Sequence, residues 1–257
     1  MISIKTPQEL ESMRKGGKIL ADTLFAVLDK VAPGVSELEL DAYAEELIRK
    51  KGGEPGFMKV PGYTHTVCMS TNNVVVHGIP SAYKLKEGDI IGIDCGVFFE
   101  GLHTDMSETI RVSRQSSAVS RQQDEVDIFL ATGKRALEQA ILQAKVGNRV
   151  GHISRTIQEI IENAGYSVVR SLIGHGVGKK LHEEPEIPGF LSGSIEKTPL
   201  LKPGMTIAIE AIYNMGKHDV KYDRDDGWTI VTADGSLSGV FERTVAITDS
   251  GPLVLTK

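Results

Sequence analysis

Residues at three- and four-residue spacing (Leu10, Met13, Gly17, Leu20, Leu24, Leu28 and Val31) predict an amphipathic helix near the start of the chain. Thr6-Pro7-Gln8-Glu9 in front of it forms a capping box with proline at the first helical position, and Pro33-Gly34 ends it. A second helix follows Ser36, with Glu39 completing its capping box. Leu40, Tyr43, Leu47 and Ile48 make its apolar face, and Gly52-Gly53 stops it. From about Phe57 to Val112 the pattern changes to short β-rich runs divided by Asn72-Asn73, Glu87-Gly88 and Glu100-Gly101. Helical spacing returns from about Ser120 to Ala164, broken at Gly147, and β-rich texture runs from Tyr166 to the end.

The alternation of helices and strands is doubled, and a faint internal repeat accompanies it. Leu85 to Asp94 lies over Leu201 to Glu210 at a constant offset of 116 residues, each copy ending in a carboxylate. His77-Gly78-Ile79-Pro80 has a counterpart in His182-Glu183-Glu184-Pro185, offset by 105, and the helix closing at Gly52 matches one closing at Gly165, offset by 113. Leu-Lys-x-Gly before an apolar strand is a common turn signal, so chance recurrence is the competing reading. The shared order of histidine, proline, turn, strand and carboxylate favours two halves about a pseudo-two-fold axis, with a site built from both.

Strand alternation puts Asp94 on one face between Gly92 and Gly96, where missing side chains leave room for an approaching group. If Glu100-Gly101 is a two-residue hairpin loop, residue 99 pairs with 102, 96 with 105 and 94 with 107, so that Asp94 and Asp105 share a face at a diagonal. The ordinary reading of such a pair is the polar outer face of a hairpin. Glu210 and Glu242 repeat the pattern in other apolar runs, and no lysine or arginine alternates with Asp94, Asp105 or Glu210. A metal is then the economical partner. His175, in Gly174-His175-Gly176-Val177-Gly178, adds an imidazole, although a lone histidine there is more often structural. One imidazole and four carboxylates suit a pair of ions that activates water for hydrolysis, leaving His77 and His182 for substrate. Two other motifs fail: His182-Glu183-Glu184-Pro185 lacks the second histidine and the helix of a zinc-protease motif, and Gly174 to Lys180 lacks phosphate-loop spacing.

The 257 residues are 40% hydrophobic and 25% charged, enough for a real core in one or two domains. A net charge of −5 without a long basic run disfavours nucleic acid as a partner. Cys68 and Cys95 form neither a disulfide framework nor a thiolate zinc site. The absence of a signal core or an apolar run of membrane-spanning length predicts a soluble, cytoplasmic protein.

Taken together, His77-Gly78-Ile79-Pro80, Asp94, Asp105, Gly174 to Gly178, His182 to Pro185, Gly204 to Glu210 and Asp226-Gly227-Trp228-Thr229 resemble the type I methionine aminopeptidases, over nearly the whole chain. The resemblance implies an α+β "pita-bread" fold of the creatinase and aminopeptidase kind, with an antiparallel sheet, flanking helices and two related α/β halves. It implies one catalytic domain over 1–257, with halves of about 1–115 and 116–257, in the short bacterial form without a zinc module for ribosome docking. The implied activity is removal of the initiator methionine from nascent chains whose second residue is small. Asp94, Asp105, His175, Glu210 and Glu242 would bind two divalent ions (cobalt, manganese, iron or zinc), with Asp105 and Glu242 bridging and Glu210 also moving protons. His182 would bond the scissile carbonyl, His77 would steady the intermediate, and Tyr63, Cys68 and Trp228 would line the methionine pocket. For Cys68, a small buried hydrophobe is an equal reading. A monomer in transient association with the ribosome, binding neither nucleic acid nor membrane, completes the expectation.

Ala211 and Arg243 stand where the family usually has proline and histidine, which bears on strand shape and on the surroundings of the second ion. Two rivals are an X-Pro aminopeptidase or dipeptidase of the same fold and a non-catalytic binding protein on it. Against the first stand only about 55 residues ahead of the first strand, and against the second the full set of five ligands.

Overall fold

The computed structural model describes residues 2–113, 124–223 and 226–257. The expected boundary between halves near residue 115, and residues 120–123 of the predicted second helical stretch, lie outside the described residues. Helix α1 (Pro7–Leu28) begins where its capping box places it: the Thr6 hydroxyl accepts the Glu9 N–H at 3.2 Å and the Glu9 carboxylate accepts the Thr6 N–H at 2.8 Å. The helix ends before the expected Val31, because Pro33 disfavours helical geometry at Ala32 and the last turn tightens, the Val31 N–H bonding the Leu28 carbonyl at 3.1 Å. Helix α2 (Glu37–Lys50) is capped in the same way by Ser36 and Glu39. Its buried stripe departs from the predicted one. Glu37 and Asp41 join Leu40, Ala44 and Ile48 inside, while Tyr43 and Leu47 are half-buried.

Strands β1 (Glu54–Pro55), β2 (Val67–Thr71), β3 (Val74–Val76), β4 (Ile90–Phe99) and β5 (Leu102–Arg111) follow. Helices α3 (Glu125–Ile141) and α4 (Val150–Asn163) are separated around Gly147, whose φ of 90° suits glycine. Then come β6 (Ser167–Val168), β7 (Gly174–Gly176), β8 (Glu183–Ile187), β9 (Thr206–Asn214), β10 (Val220–Tyr222), β11 (Ile230–Thr232), β12 (Ser238–Thr248) and β13 (Gly251–Val254). The main antiparallel sheet runs β1-β4-β5-β12-β9-β7-β8, with β2 beside β4, β13 beside β12 and β6 beside β9; β10-β11-β3 form a smaller sheet. The hairpin register is the predicted one: Phe99 faces Leu102, Gly96 faces Asp105 and Asp94 faces Ser107. Glu100 and Gly101 both take left-handed φ, 48° and 85°, the twist that a two-residue loop needs.

The repeated strands face the helices with matched residues. Ile91, Ile93, Cys95 and Val97 of β4 join the core under α1 and α2, whereas Ile207, Ile209, Ala211 and Tyr213 of β9 join the core under α3 and α4. Alternation then turns Asp94 and Glu210 to the other face. Among the described residues no helix is long and apolar enough to cross a membrane.

Packing of α3 on β9 turns on Gly133, where an added Cβ would overlap the Tyr213 ring, itself fixed by a bond from its hydroxyl to the Phe129 carbonyl at 2.6 Å. Helix propensity favours alanine over glycine by about 1 kcal/mol, while overpacking costs ~1–3 kcal/mol. Gly133→Ala is therefore expected to lower stability by up to roughly 2 kcal/mol, read as a lower urea midpoint at unchanged slope.

Candidate metal centre

Five neighbouring strands of the main sheet each supply one of the predicted ligands: β4 Asp94, β5 Asp105, β12 Glu242, β9 Glu210 and β7 His175. Register brings them together. Asp94 faces Ser107, Ser107 faces Glu242, and Glu242 faces Glu210, so these residues form one row across the sheet. The next row on the same face contains Gly96 opposite Asp105, and Thr244 opposite Ala208, which in turn faces His175. The Thr244 hydroxyl ties the middle of that row, accepting from the Asp105 N–H and donating to its carbonyl, both at 2.8 Å. Small residues between the ligands leave the space above the sheet to the carboxylates. Ser107, which the sequence reading did not single out, is one of them.

The donor set is one that a cation satisfies. Asp105, Glu242 and His175 present ligand atoms that all lie within 4.8 Å of one another. Buried atoms Asp94 Oδ1, Ser107 Oγ and Glu242 Oε1, consecutive in the first row, have no hydrogen-bond partner. No lysine or arginine among the described residues forms an ion pair with the four carboxylates. His175 Nδ1 lies 2.9 Å from the Gly176 carbonyl, which can only accept, so Nδ1 carries the proton. Its Nε2 lone pair then faces Glu210 at 3.6 Å and Asp105 at 3.9 Å. A histidine with its second nitrogen donating to a carbonyl is the usual arrangement of a metal ligand.

Electrostatics agree with the geometry. Burial pushes the Asp94 carboxyl up to about 7, and Asp105, Glu210 and Glu242 rise well above the usual range through burial first and mutual repulsion second. Burial, reinforced by neighbouring histidines, pushes His175 down to about 3 and His77 to about 4; burial also lowers His182. Neutral imidazoles and crowded carboxylates both suit divalent cations.

Arg243 turns away to the helix-covered face, where its guanidinium pairs with Glu108 at 2.6 Å and bonds the Ser107 and Glu242 carbonyls at 3.1 and 2.7 Å. Ala211 is buried on that face too, as the counterpart of Cys95 in the repeat. Neither residue stands among the ligands.

A cavity of about 760 Å³ opens over the carboxylates. Its apolar end holds the predicted Tyr63, Cys68 and Trp228, together with Phe57, Val60 and Leu181, which sequence alone did not single out. Tyr63 packs edge-on against Trp228 with ring centroids 5.1 Å apart. His77 and His182 line the same cavity, and the His182 ring stands perpendicular to His175 at 4.3 Å. The loop bearing His182 is stapled from far away: Glu183 accepts from Lys5 Nζ at 2.6 Å and from the Lys180 N–H at 3.1 Å.

Residues 11–249 match the model of metallopeptidase family M24. A methionine aminopeptidase of Clostridium perfringens is 45% identical over 100% of this chain and 99% of its own. The crystal structure of a methionine aminopeptidase from Thermotoga maritima superposes with a TM-score of 0.93 at 39% identity, covering 100% of both chains. The prolidase of Pyrococcus furiosus matches less closely, with a TM-score of 0.75 at 25% identity over 99% of this chain but only 65% of its own. The chain belongs to metallopeptidase family M24, and within it to the methionine aminopeptidases.

Proposed function

We propose that the chain removes N-terminal methionine from nascent proteins and peptides with a small second residue, using two divalent ions held by Asp94, Asp105, His175, Glu210 and Glu242. The observation that carries this reading is the set of five adjacent strands, each offering one ligand beside an apolar pocket. When bound, the ions supply Lewis acidity and lower the pKa of water, with cobalt, manganese, iron and zinc all compatible with these donors.

The protein's own groups do the rest. Tyr63, Cys68 and Trp228 enclose the methionine side chain, whose full burial is worth roughly 1.5–3 kcal/mol. His182 donates a hydrogen bond to the scissile carbonyl oxygen, and His77 steadies the tetrahedral carbon's substituents or the following amide. Glu210 moves a proton to the leaving amine. Burial of the histidines supports these roles, because a neutral imidazole can donate at one nitrogen without adding charge beside the ions.

In this reading residues 1–257 work as one catalytic domain, a cytoplasmic monomer that meets nascent chains in transient association with the ribosome. Metal-loaded protein is expected to release methionine from Met-Ala-Ser while sparing Met-Lys and Ala-Pro peptides. Cleavage of the proline peptide alone, or of none of the three, would overturn this reading.

A further inference from the structure

Besides Glu108, which pairs with Arg243, two buried carboxylates among the described residues take no part in the metal centre. Glu37 and Asp41 lie one turn apart on the inner side of α2 and are only 5% and 8% exposed. Such groups stay inside only when donors satisfy them, and here the donors come from two separate segments. Asp41 Oδ1 accepts the backbone N–H groups of Thr66 at 2.8 Å and Val67 at 3.1 Å, while its Oδ2 lies 3.0 Å from His65 Nδ1. Glu37 Oε1 accepts the Thr71 hydroxyl at 2.7 Å, and Oε2 accepts the Ser81 hydroxyl at 2.8 Å and its N–H at 3.1 Å. Asp41 therefore grips the start of β2, and Glu37 its end together with the loop beyond β3.

What hangs on each grip differs. At the start of β2, Val67 accepts the Tyr63 hydroxyl at 2.7 Å and Cys68 comes next, so Asp41 anchors two walls of the apolar pocket. At the other end stands His77, whose φ of 57° lies in the left-handed region. A non-glycine residue there stores about 1 kcal/mol or more and persists only when its surroundings hold it. Gly78 is pressed onto β2, its carbonyl accepting the Met69 N–H at 2.8 Å, and an added Cβ would overlap the Met69 carbonyl. Farther along, the loop is fixed by the Glu37 side chain and by the Leu38 N–H, which bonds the Ser81 carbonyl at 3.1 Å.

We propose that Glu37 and Asp41 are positioning residues with separate outputs: Asp41 sets the pocket that selects the first side chain, and Glu37 sets the His77 imidazole over the scissile bond. The proposal rests on the methionine-removing reading. A purely structural pair would lower stability and scale all kinetic constants alike, whereas two separate grips divide KM from kcat.

The test uses the full chain, manganese-loaded, on Met-Ala-Ser and Leu-Ala-Ser, with metal content measured in parallel. Glu37→Ala is expected to lower kcat about tenfold or more with KM within about twofold, because small misplacements of a catalytic group cost orders of magnitude. Thr71→Val with Ser81→Ala, which removes the two hydroxyl bonds to Glu37 and leaves only the bond from the residue-81 N–H, should lower kcat in the same direction with KM within about twofold if the alanine variant folds poorly. Asp41→Ala should raise KM about fivefold and narrow the preference for methionine over leucine, while Asp41→Asn, which keeps the bonds to Thr66 and Val67, should restore both. Trp228 is the single tryptophan, so its fluorescence reports the pocket without turnover. Its emission should shift in Asp41→Ala and stay unchanged in Glu37→Ala, a readout that stands even if the wild-type protein releases no methionine. Equal scaling of kcat and KM in both variants, or an identical Trp228 response in both, overturns the proposal.

Discussion

Asp105→Asn should abolish methionine release, lowering kcat/KM by more than about a thousand-fold, and reduce the metal bound per chain without unfolding the protein. The size follows from what is lost: a metal's charge stabilisation is worth several kcal/mol, and each ~1.4 kcal/mol is tenfold in rate. The fold should survive because asparagine keeps the acceptor for the Met106 N–H, which bonds Asp105 Oδ1 at 3.1 Å. The substitution also removes one of four crowded acids whose ionisation burial opposes. After chelation the variant is therefore expected to melt no lower than the wild type, and at pH 8 higher. Activity, elemental analysis and melting temperature measured on one preparation check the three statements, and unchanged turnover removes Asp105 from the site.

The second large effect is a dependence of stability on pH that metal reverses. In chelated protein the carboxyls of Asp94, Asp105, Glu210 and Glu242 are raised, so the folded state holds protons that the unfolded state has released above pH ~4. Each such group makes stability fall by about 1.4 kcal/mol per pH unit between its unfolded and folded pKa values. His77 and His103, both about 4, and His175, about 3, act in the opposite sense. Burial depresses them, so their contribution is lost as pH falls below the unfolded value of ~6.5. The two trends largely offset between pH ~4 and ~6.5, and above that the carboxyls act alone. Chelated protein is thus expected to lose stability from pH 6.5 to 8. Manganese should displace the protons and raise the melting temperature by more at pH 8 than at pH 6. Calorimetric titration in two buffers of different ionisation enthalpy should detect proton release, and none at pH 7 contradicts the raised carboxyls.

Much of this centre was legible in the order of residues because it depends on periodicities of two and on turn chemistry. Glu100-Gly101 fixed a register that put Asp94 and Asp105 on one face, and the 116-residue offset led from Asp94 to Glu210. Capping boxes located the starts of α1 and α2. What could not be read depends on contacts between distant segments. The Lys5–Glu183 bond spans 178 residues and leaves no local signature. Glu37 and Asp41 fall outside the apolar positions predicted for α2, and spacing distinguishes apolar from polar but not a wet carboxylate from one satisfied inside. The same holds for Phe57, Val60 and Leu181, which gather at the pocket from a short helical turn and two loops.

The central claim is that five strands converge on one divalent-metal centre, and locating the metal tests it most directly. Crystals soaked in manganese and measured for anomalous scattering should give their strongest peaks among Asp94, Asp105, His175, Glu210 and Glu242. Peaks elsewhere, or none at this site at millimolar manganese, would contradict the account.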